Sequence, residues 1–364
     1  MAQPVHPDSQ PCAADALSAW GAACLRAAGV DEAAAHSVAE SLVQTSLWGI
    51  DSHGIARLPH YLNRIEQGSI RARPNIVVTP TGPCTAQVAG DRGLGIVVAR
   101  RANEAAMQMA RASGIGAVGV SDSSHCGAVG LYSREAARAG LIGMAFTHSD
   151  SIAAPFGGHR PFFGTNPISV AFPRGDRDSN GEPGDRAGGE PLCLDMATTS
   201  IPWNRVMNAR REGLALPPDV AVDAQGDSTQ DALGAAALRP LGGADYGHKG
   251  YALALVVELL CGPLNGNPYG PQIGPMYAEL TRPRHIGAFF IVLDPLRFAG
   301  GATLAASLEH MARALAAQPG EVLLASDPEL AAQAQRRIDG IPVEPGLRAE
   351  ILAWSERLKV ASPV

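Results

Sequence analysis

Five short segments combine residue types that can do chemistry. The first is Asp51-Ser52-His53-Gly54, followed by Arg57 and Tyr61. If a helix begins near Gly54, Arg57 and Tyr61 share one face. A guanidinium is the natural bidentate partner of a carboxylate, and a neighbouring imidazole exchanges protons with a hydroxyl or carbonyl near neutral pH. The plainer reading makes Asp51 a helix cap and Arg57 half of a surface ion pair. The second segment, Ser123-Ser124-His125-Cys126-Gly127, directly follows a β-branched run, and polar residues at the carboxyl end of a strand commonly face a ligand crevice. The third, Leu194-Asp195-Met196-Ala197-Thr198, is again a strand running out into polar residues. Asp195 there can orient a histidine, meet a ribose hydroxyl, or simply cap a helix around Trp203. The fourth, His248-Lys249, stands at the expected first turn of an apolar helix, where cations oppose the helix dipole and free N–H groups suit an anion. The fifth, Pro155–Pro167, is rich in glycine and proline and reads as a shaped loop around a ligand.

Other chemistries find less support. Gly114-Ile-Gly116-Ala-Val-Gly119 matches G-x-G-x-x-G in form only. The dinucleotide motif needs a strand before it and a helix after it, so that the helix N-terminus meets the pyrophosphate. Here a helix precedes and a strand follows, which makes Gly114 a helix C′ residue. His53, His125 and His148 are among ten histidines, but no HExxH or paired ligand spacing occurs, so no metal site is expected. No G-x-S-x-G elbow supports a serine hydrolase.

The elements that must hold these residues follow from periodicity. Leu17, Trp20 and Cys24 share a helical face behind Asp15 as a cap, and Gly29 ends that helix; Asp31 caps the next, with Ala35, Val38 and Leu42. Leu58, Leu62 and Ile65 form a third stripe stopped by Gly68. Beyond Pro74, strands at Ile76–Val78, Ile115–Val120, Leu141–Thr147, Ser169–Phe172, Leu192–Leu194 and Gly287–Asp294 alternate with helical stretches 93–112 and 126–139. Residues 249–261 are apolar all round, which predicts a helix buried on several sides. Arg174–Pro191 lacks periodicity and reads as a solvent loop. The predicted organisation is a helical unit over 1–75, joined by C-terminal helices over 301–364, and an α/β domain over 76–300.

Composition narrows the class. The 364 residues are 46% hydrophobic and 18% charged, with 29 basic against 35 acidic residues and a net charge of -6. That globular, mildly acidic chain has no basic stripe to neutralise phosphates, which argues against nucleic acid as a partner. No run of about 18 apolar residues spans a membrane. The start of the chain shows no secretory signal, and six scattered cysteines without a CxxC pair read as reduced thiols, so a cytoplasmic protein is expected.

In their order along the chain, WGIDSHGIARLPHY, GVSDSSHCGAVG, IAAPFGGHRPFFGTNP, LCLDMATTS and HKGYALALVVELLCGPLNG resemble the type 2 malate/L-lactate dehydrogenase family, which includes ureidoglycolate and sulfolactate dehydrogenases. The resemblance covers about residues 15 to 345. It implies a non-Rossmann α/β (α+β) fold with a helical N-terminal unit, a mixed-sheet nucleotide-binding domain, and a homodimer. It also implies NAD or NADP as cofactor and a small carboxylate as substrate: a 2-hydroxy or 2-keto acid, with a cyclic imino acid or mere ligand binding as competing readings. His125 matches the family's proton-exchanging histidine; His53, paired with Asp195 in some relatives, stays open as the base. Ser52, His53, Arg57 and Tyr61, with Lys249, match the substrate site. His125, Ser149, Asp195, Met196, Ala197, His248 and Lys249 match positions near the cofactor. Ser46 and Trp48 stand where the family often has Asp and Arg, and Ala252 replaces a glycine; these departures are expected to bear on substrate choice. The run NPYGPQIGPMYAEL looks closest to the ureidoglycolate branch.

Overall fold

The computed structural model describes residues 7–177 and 183–364. A short strand β1 (Gln10–Cys12) leads into helices α1 (Ala14–Ala27), α2 (Glu32–Leu47) and α3 (Leu58–Glu66). The α/β region follows with β2 (Val77–Gly82), β3 (Thr85–Ala89), α4 (Gly95–Ser113), β4 (Ile115–Ser123), α5 (Gly130–Arg138) and β5 (Ile142–Thr147). Next come β6 (Ile168–Arg177), β7 (Pro183–Met196), α6 (Trp203–Glu212), β8 (Ala221–Val222), β9 (Ala237–Leu238) and α7 (Gly243–Cys261). The chain closes with β10 (Ile286–Leu293), α8 (Gly301–Ala316), α9 (Asp327–Asp339), β11 (Ile341–Val343) and α10 (Pro345–Leu358).

The first helices form where the apolar spacing demands. Leu17, Trp20 and Cys24 are buried along α1, and the Asp31 side chain accepts the Ala34 N–H at 3.0 Å to cap α2. Asp15 does not cap: α1 begins one residue earlier, behind Ala13, and Asp15 lies inside its first turn, where its charge still favours the helix dipole. The N- and C-terminal segments share one core. β1 pairs antiparallel with β11, Trp20 donates to Ser355 at 2.8 Å, and Ile341, Val343 and Ile351 pack among Leu17, Leu42 and Leu62. Of the C-terminal helices, α8 does not join this core; it rests on β6 and β7.

Seven strands form one mixed sheet in the order β2-β3-β4-β10-β5-β6-β7, parallel only between β3 and β4. Alternation along β10 sorts its two faces: Ala288, Phe290 and Val292 are buried under α4 and α5, while Gly287 turns the other way against the end of α7. Gly114 is the left-handed residue that ends α4, at φ +91°, so the glycine triplet opens no helix. Two expectations fail. The aperiodic stretch from Arg174 is strand on both sides of 178–182, which lie outside the described residues; hairpin pairing of β6 with β7 supplies the hydrogen bonds that no side-chain pattern announced. And α7 is not buried all round: Leu253, Leu255, Val256 and Leu259 are exposed, because only one of its faces meets β10 and β5.

The antiparallel register brings the carboxyl ends of β4, β5 and β7 to one edge of the sheet. Ile286 pairs with Ser123, Ala288 with Thr147, and Ile168 with Met196. The central strand β4 is pressed so close to α4 that a Cβ on Gly116 would overlap the Ala106 carbonyl. Gly116→Ala is therefore expected to cost about 1–3 kcal/mol of stability or more, read by denaturant unfolding; an unchanged midpoint would refute this packing.

Candidate active site

The turn carrying His53 is fixed from beneath. Ser46 Oγ accepts the Ile55 N–H at 3.0 Å, and Gly54 lies where any Cβ would collide with Ser46. Arg336 of α9 grips Asp51 through both carboxylate oxygens at 2.6 and 2.8 Å, so Asp51 ties the turn to α9 rather than capping a helix. Two 3-10 turns, Asp51–His53 and Ile55–Arg57, then pass directly into α3. His125 is fixed from the sheet side. Ser124 Oγ accepts the Gly95 N–H and donates to the Gly93 carbonyl, both at 2.9 Å.

These two pieces meet. The rings of His53 and His125 stack with centroids 5.4 Å apart and planes 28° apart. Tyr61 Oη lies 2.7 Å from His125 Nδ1, and the Gly127 N–H also points at Nδ1, 3.3 Å away. With two donors facing Nδ1, the neutral imidazole carries its proton on Nε2. Burial holds the Tyr61 phenol protonated by pushing its pKa well up, which keeps it available as that donor. Ser52 Oγ is 2.9 Å from His53 Nδ1. Arg57, 9% exposed, donates to the Ser52 carbonyl, the Tyr277 hydroxyl and Asn204 Oδ1, and among the described residues it is in no surface ion pair.

Electrostatics keep both imidazoles neutral. Desolvation and then the Arg57 charge lower the His53 pKa to about 3. Desolvation, then His53, Arg57 and Arg284, lower His125 well below the ordinary histidine value. His60 is lowered likewise to about 3, by burial and by Arg64, Arg284 and Arg57.

The other predicted residues divide. Asp195, Met196 and Ala197 are half-buried where β7 ends, and Ser149 follows β5 two strands away, at the same edge of the sheet. Asp195 accepts the Gly130 N–H at 2.9 Å; among the described residues it bonds neither imidazole. Burial pushes its carboxyl up to about 6, against the Gly130 hydrogen bond and the Arg134 charge. His248 and Lys249 are exposed, with Lys249 Nζ 5.3 Å from the Tyr246 ring centroid and His248 beside Phe156. The anion site expected at the helix start is not there: α7 begins at Gly243, so both cations fall in its second turn, past the free N–H groups. Their helix adjoins the β7 exit, because Leu241 links the Thr198 carbonyl to the Gly250 N–H. The Pro155–Pro167 loop is locked from inside: Asn166 donates to the Ala254 carbonyl and to Glu258, which also bonds His148. His148 accepts the Gly287 N–H at 2.8 Å, a structural role.

The departures from the family pattern do not touch the site. Ser46 supports the turn, Trp48 stacks under the Arg134 guanidinium at 4.6 Å, and Ala252 is exposed. A cavity of about 870 Å³ lies elsewhere, between α1, α2 and α9, and contains neither histidine. Sequence reasoning missed His60, Asp150, Asn204, Tyr277 and Arg284. Tyr277 and Arg284 come from a Pro/Gly-rich segment whose polar residues lack any periodicity to mark them.

A family model for malate/L-lactate dehydrogenase matches residues 12–352. The chain belongs to that family. It is 35% identical to the ureidoglycolate dehydrogenase (NAD(+)) of Escherichia coli O157:H7 over 321 residues, 87% of each chain. The sulfolactate dehydrogenase structure from Methanocaldococcus jannaschii superposes with a TM-score of 0.87 at 29% identity, covering 96% of this chain and 98% of that one. A delta1-piperideine-2-carboxylate reductase from Pseudomonas syringae pvar. tomato superposes at 0.81, with 29% identity and coverage of 96% and 99%. The fold is thus the non-Rossmann α/β architecture of these dehydrogenases, and the chain is an NAD(P)-dependent oxidoreductase. The β7 exit suits such a cofactor chemically: a carboxylate to accept from hydroxyl groups, beside the apolar Met196 and the small Ala197.

Asp195 also makes stability depend on pH. Its pKa rises from 3.8 to about 6 on folding, so folding favours the protonated form. That contribution is complete below 3.8 and is lost as pH rises through about 6. Asp195→Asn keeps the acceptor for Gly130 and removes the titration. Its stability relative to wild type is expected to improve by about 1–2 kcal/mol between pH 4 and pH 7, after discounting for partial exposure. Unfolding at the two pH values checks this, and a pH-independent difference would exclude it.

Proposed function

We propose that the enzyme interconverts a small 2-hydroxy acid and its 2-keto acid, with the substrate carboxylate on Arg57 and the reacting oxygen at His125. The observation that carries this reading is the Tyr61–His125 contact at 2.7 Å beside a guanidinium whose partners are all neutral. When bound, NAD(P) supplies or accepts the hydride at C2. In the reducing direction His125, carrying a second proton once the bound anion offsets the guanidiniums, passes the Nε2 proton to the substrate oxygen and is left neutral, with Nδ1–H facing the Tyr61 hydroxyl. In the oxidising direction the Tyr61 hydroxyl turns to accept from Nδ1–H, which frees Nε2 to take the alcohol proton. Stacking against His53 fixes the plane of His125, and Ser52 orients His53. Asp195, Met196, Ala197 and Ser149 are assigned to the cofactor. Lys249 and His248, beside the β7 exit, are assigned there too rather than to the substrate carboxylate.

His125→Ala is expected to lower kcat by about 10²–10⁴-fold, and His53→Ala severely, with the fold retained. Tyr61→Phe is expected to cost roughly tenfold, the scale of one lost hydrogen bond. A panel of 2-keto acids and cyclic imino acids, followed by NADH and NADPH absorbance, checks both mechanism and substrate class. Undiminished turnover in His125→Ala would refute the assignment. A preference for cyclic imines would favour the second reading, which the Pseudomonas syringae relative raises, with the same arginine under the carboxylate.

The exposed apolar stripe of α7, with Leu253, Val256 and Leu259, supports a homodimer, since a face of this kind is costly to leave in water. Val256→Glu is expected to shift the protein to monomer in sedimentation analysis; an unchanged mass would exclude α7 as the interface. The six free cysteines, five of them buried, suit the cytoplasm, and among the described residues no helix is long and apolar enough to cross a membrane.

A further inference from the structure

Three guanidiniums crowd the proposed substrate site: Arg57, Arg64 and Arg284 are 9%, 2% and 4% exposed. Their hydrogen-bond partners among the described residues include one carboxylate, Asp150. Arg64 is satisfied by His60, Ser69 and the carbonyls of Pro275, Met276 and Arg282. Arg284 donates to Asp150 and, at 2.9 Å, to the Gly274 carbonyl, but its Nη1 has no partner among the described residues. A buried cationic donor left unpaired is costly and marks a place where a ligand atom belongs.

The sheet register puts this donor next to the chemistry. Ile286 of β10 pairs antiparallel with Ser123 of β4. Arg284 stands two residues before β10 begins and His125 two residues after β4 ends, at the same edge of the sheet. The Arg284 charge acts on His125, Tyr61 and His60 alike.

We propose that Arg284 receives a second anionic group of the substrate, so that the enzyme prefers 2-hydroxy acids with an oxyanion at both ends. This rests on the hydroxy-acid reading above and deepens it. Three cations against one carboxylate leave two positive charges. The C1 carboxylate on Arg57 balances one, and a carboxylate or sulfonate at the far end balances the other while filling Nη1. A neutral end, such as an amide, leaves that charge uncompensated in a desolvated site. Arg284 is thereby a specificity-determining residue.

The test compares oxaloacetate and 3-sulfopyruvate with amide-ended 2-oxosuccinamate, using NADH and NADPH, on wild type, Arg284→Gln, Arg284→Lys and Asp150→Asn. The wild type is expected to favour the doubly charged acids by about tenfold or more in kcat/KM. Arg284→Gln should bring that ratio toward unity, and Arg284→Lys should retain part of it. Asp150→Asn, which removes the competing carboxylate, should raise it, and decides the matter should Arg284→Gln not fold. A wild-type ratio near unity, or equal losses on charged and amide-ended acids, overturns the assignment of Arg284 while leaving the hydroxy-acid reading intact. No turnover of any of these acids removes both.

Discussion

The site depends on keeping two stacked imidazoles neutral in a place that is positively charged and short of water. His53 and His125 lie 5.4 Å apart beside Arg57; desolvation and the Arg57 charge drive both pKa values far down, and the Arg284 charge adds to this at His125. A protonated pair could not share that space with two guanidiniums. The site is therefore poised for an anion: in the proposed reaction, negative charge from the substrate offsets the guanidiniums and restores the basicity of the imidazoles when a proton must move.

The surrounding structure serves this arrangement. Tyr61 carries no charge of its own, yet it selects the His125 tautomer by donating to Nδ1 together with the Gly127 amide. The turn bearing His53 is anchored by the Asp51–Arg336 pair, which reaches from the turn after α2 to α9 near the far end of the chain. The closed β1–β11 pairing and the shared terminal core make that reach possible. His125 hangs from β4 over Gly95, where backbone carbonyls leave no room for a side chain. Each group of the proposed site is thus held by an element other than its own, which is what fixed geometry in a reacting site requires.

A separate division runs along the sheet edge. Groups suited to an organic acid gather at the ends of β4 and β10, and those suited to a cofactor gather at the ends of β5 and β7. Both sets project the same way because the strands between them are antiparallel. The buried Glu258–His148–Asn166 network, in which hydrogen bonds hold the glutamate below its usual value despite burial, pins α7 beneath that edge.

What the sequence determined alone was local or ordered. Helix faces such as Leu17, Trp20 and Cys24, the Asp31 cap, the left-handed Gly114 and the central strands follow from periodicity and backbone chemistry that act over a few residues. The chain order of five motifs marked Ser52, His53, Arg57, Tyr61 and His125 as a set. Tertiary structure decided the rest. Tyr277, Arg284 and Asp150 meet that set through strand register and long-range packing, which leave no periodic trace in the sequence. The β6–β7 hairpin satisfies its hydrogen bonds across strands, so its aperiodic glycine-rich sequence resembled a loop. Whether an apolar helix is buried depends on what covers its second face, and for α7 the described residues leave Leu253, Val256 and Leu259 exposed there.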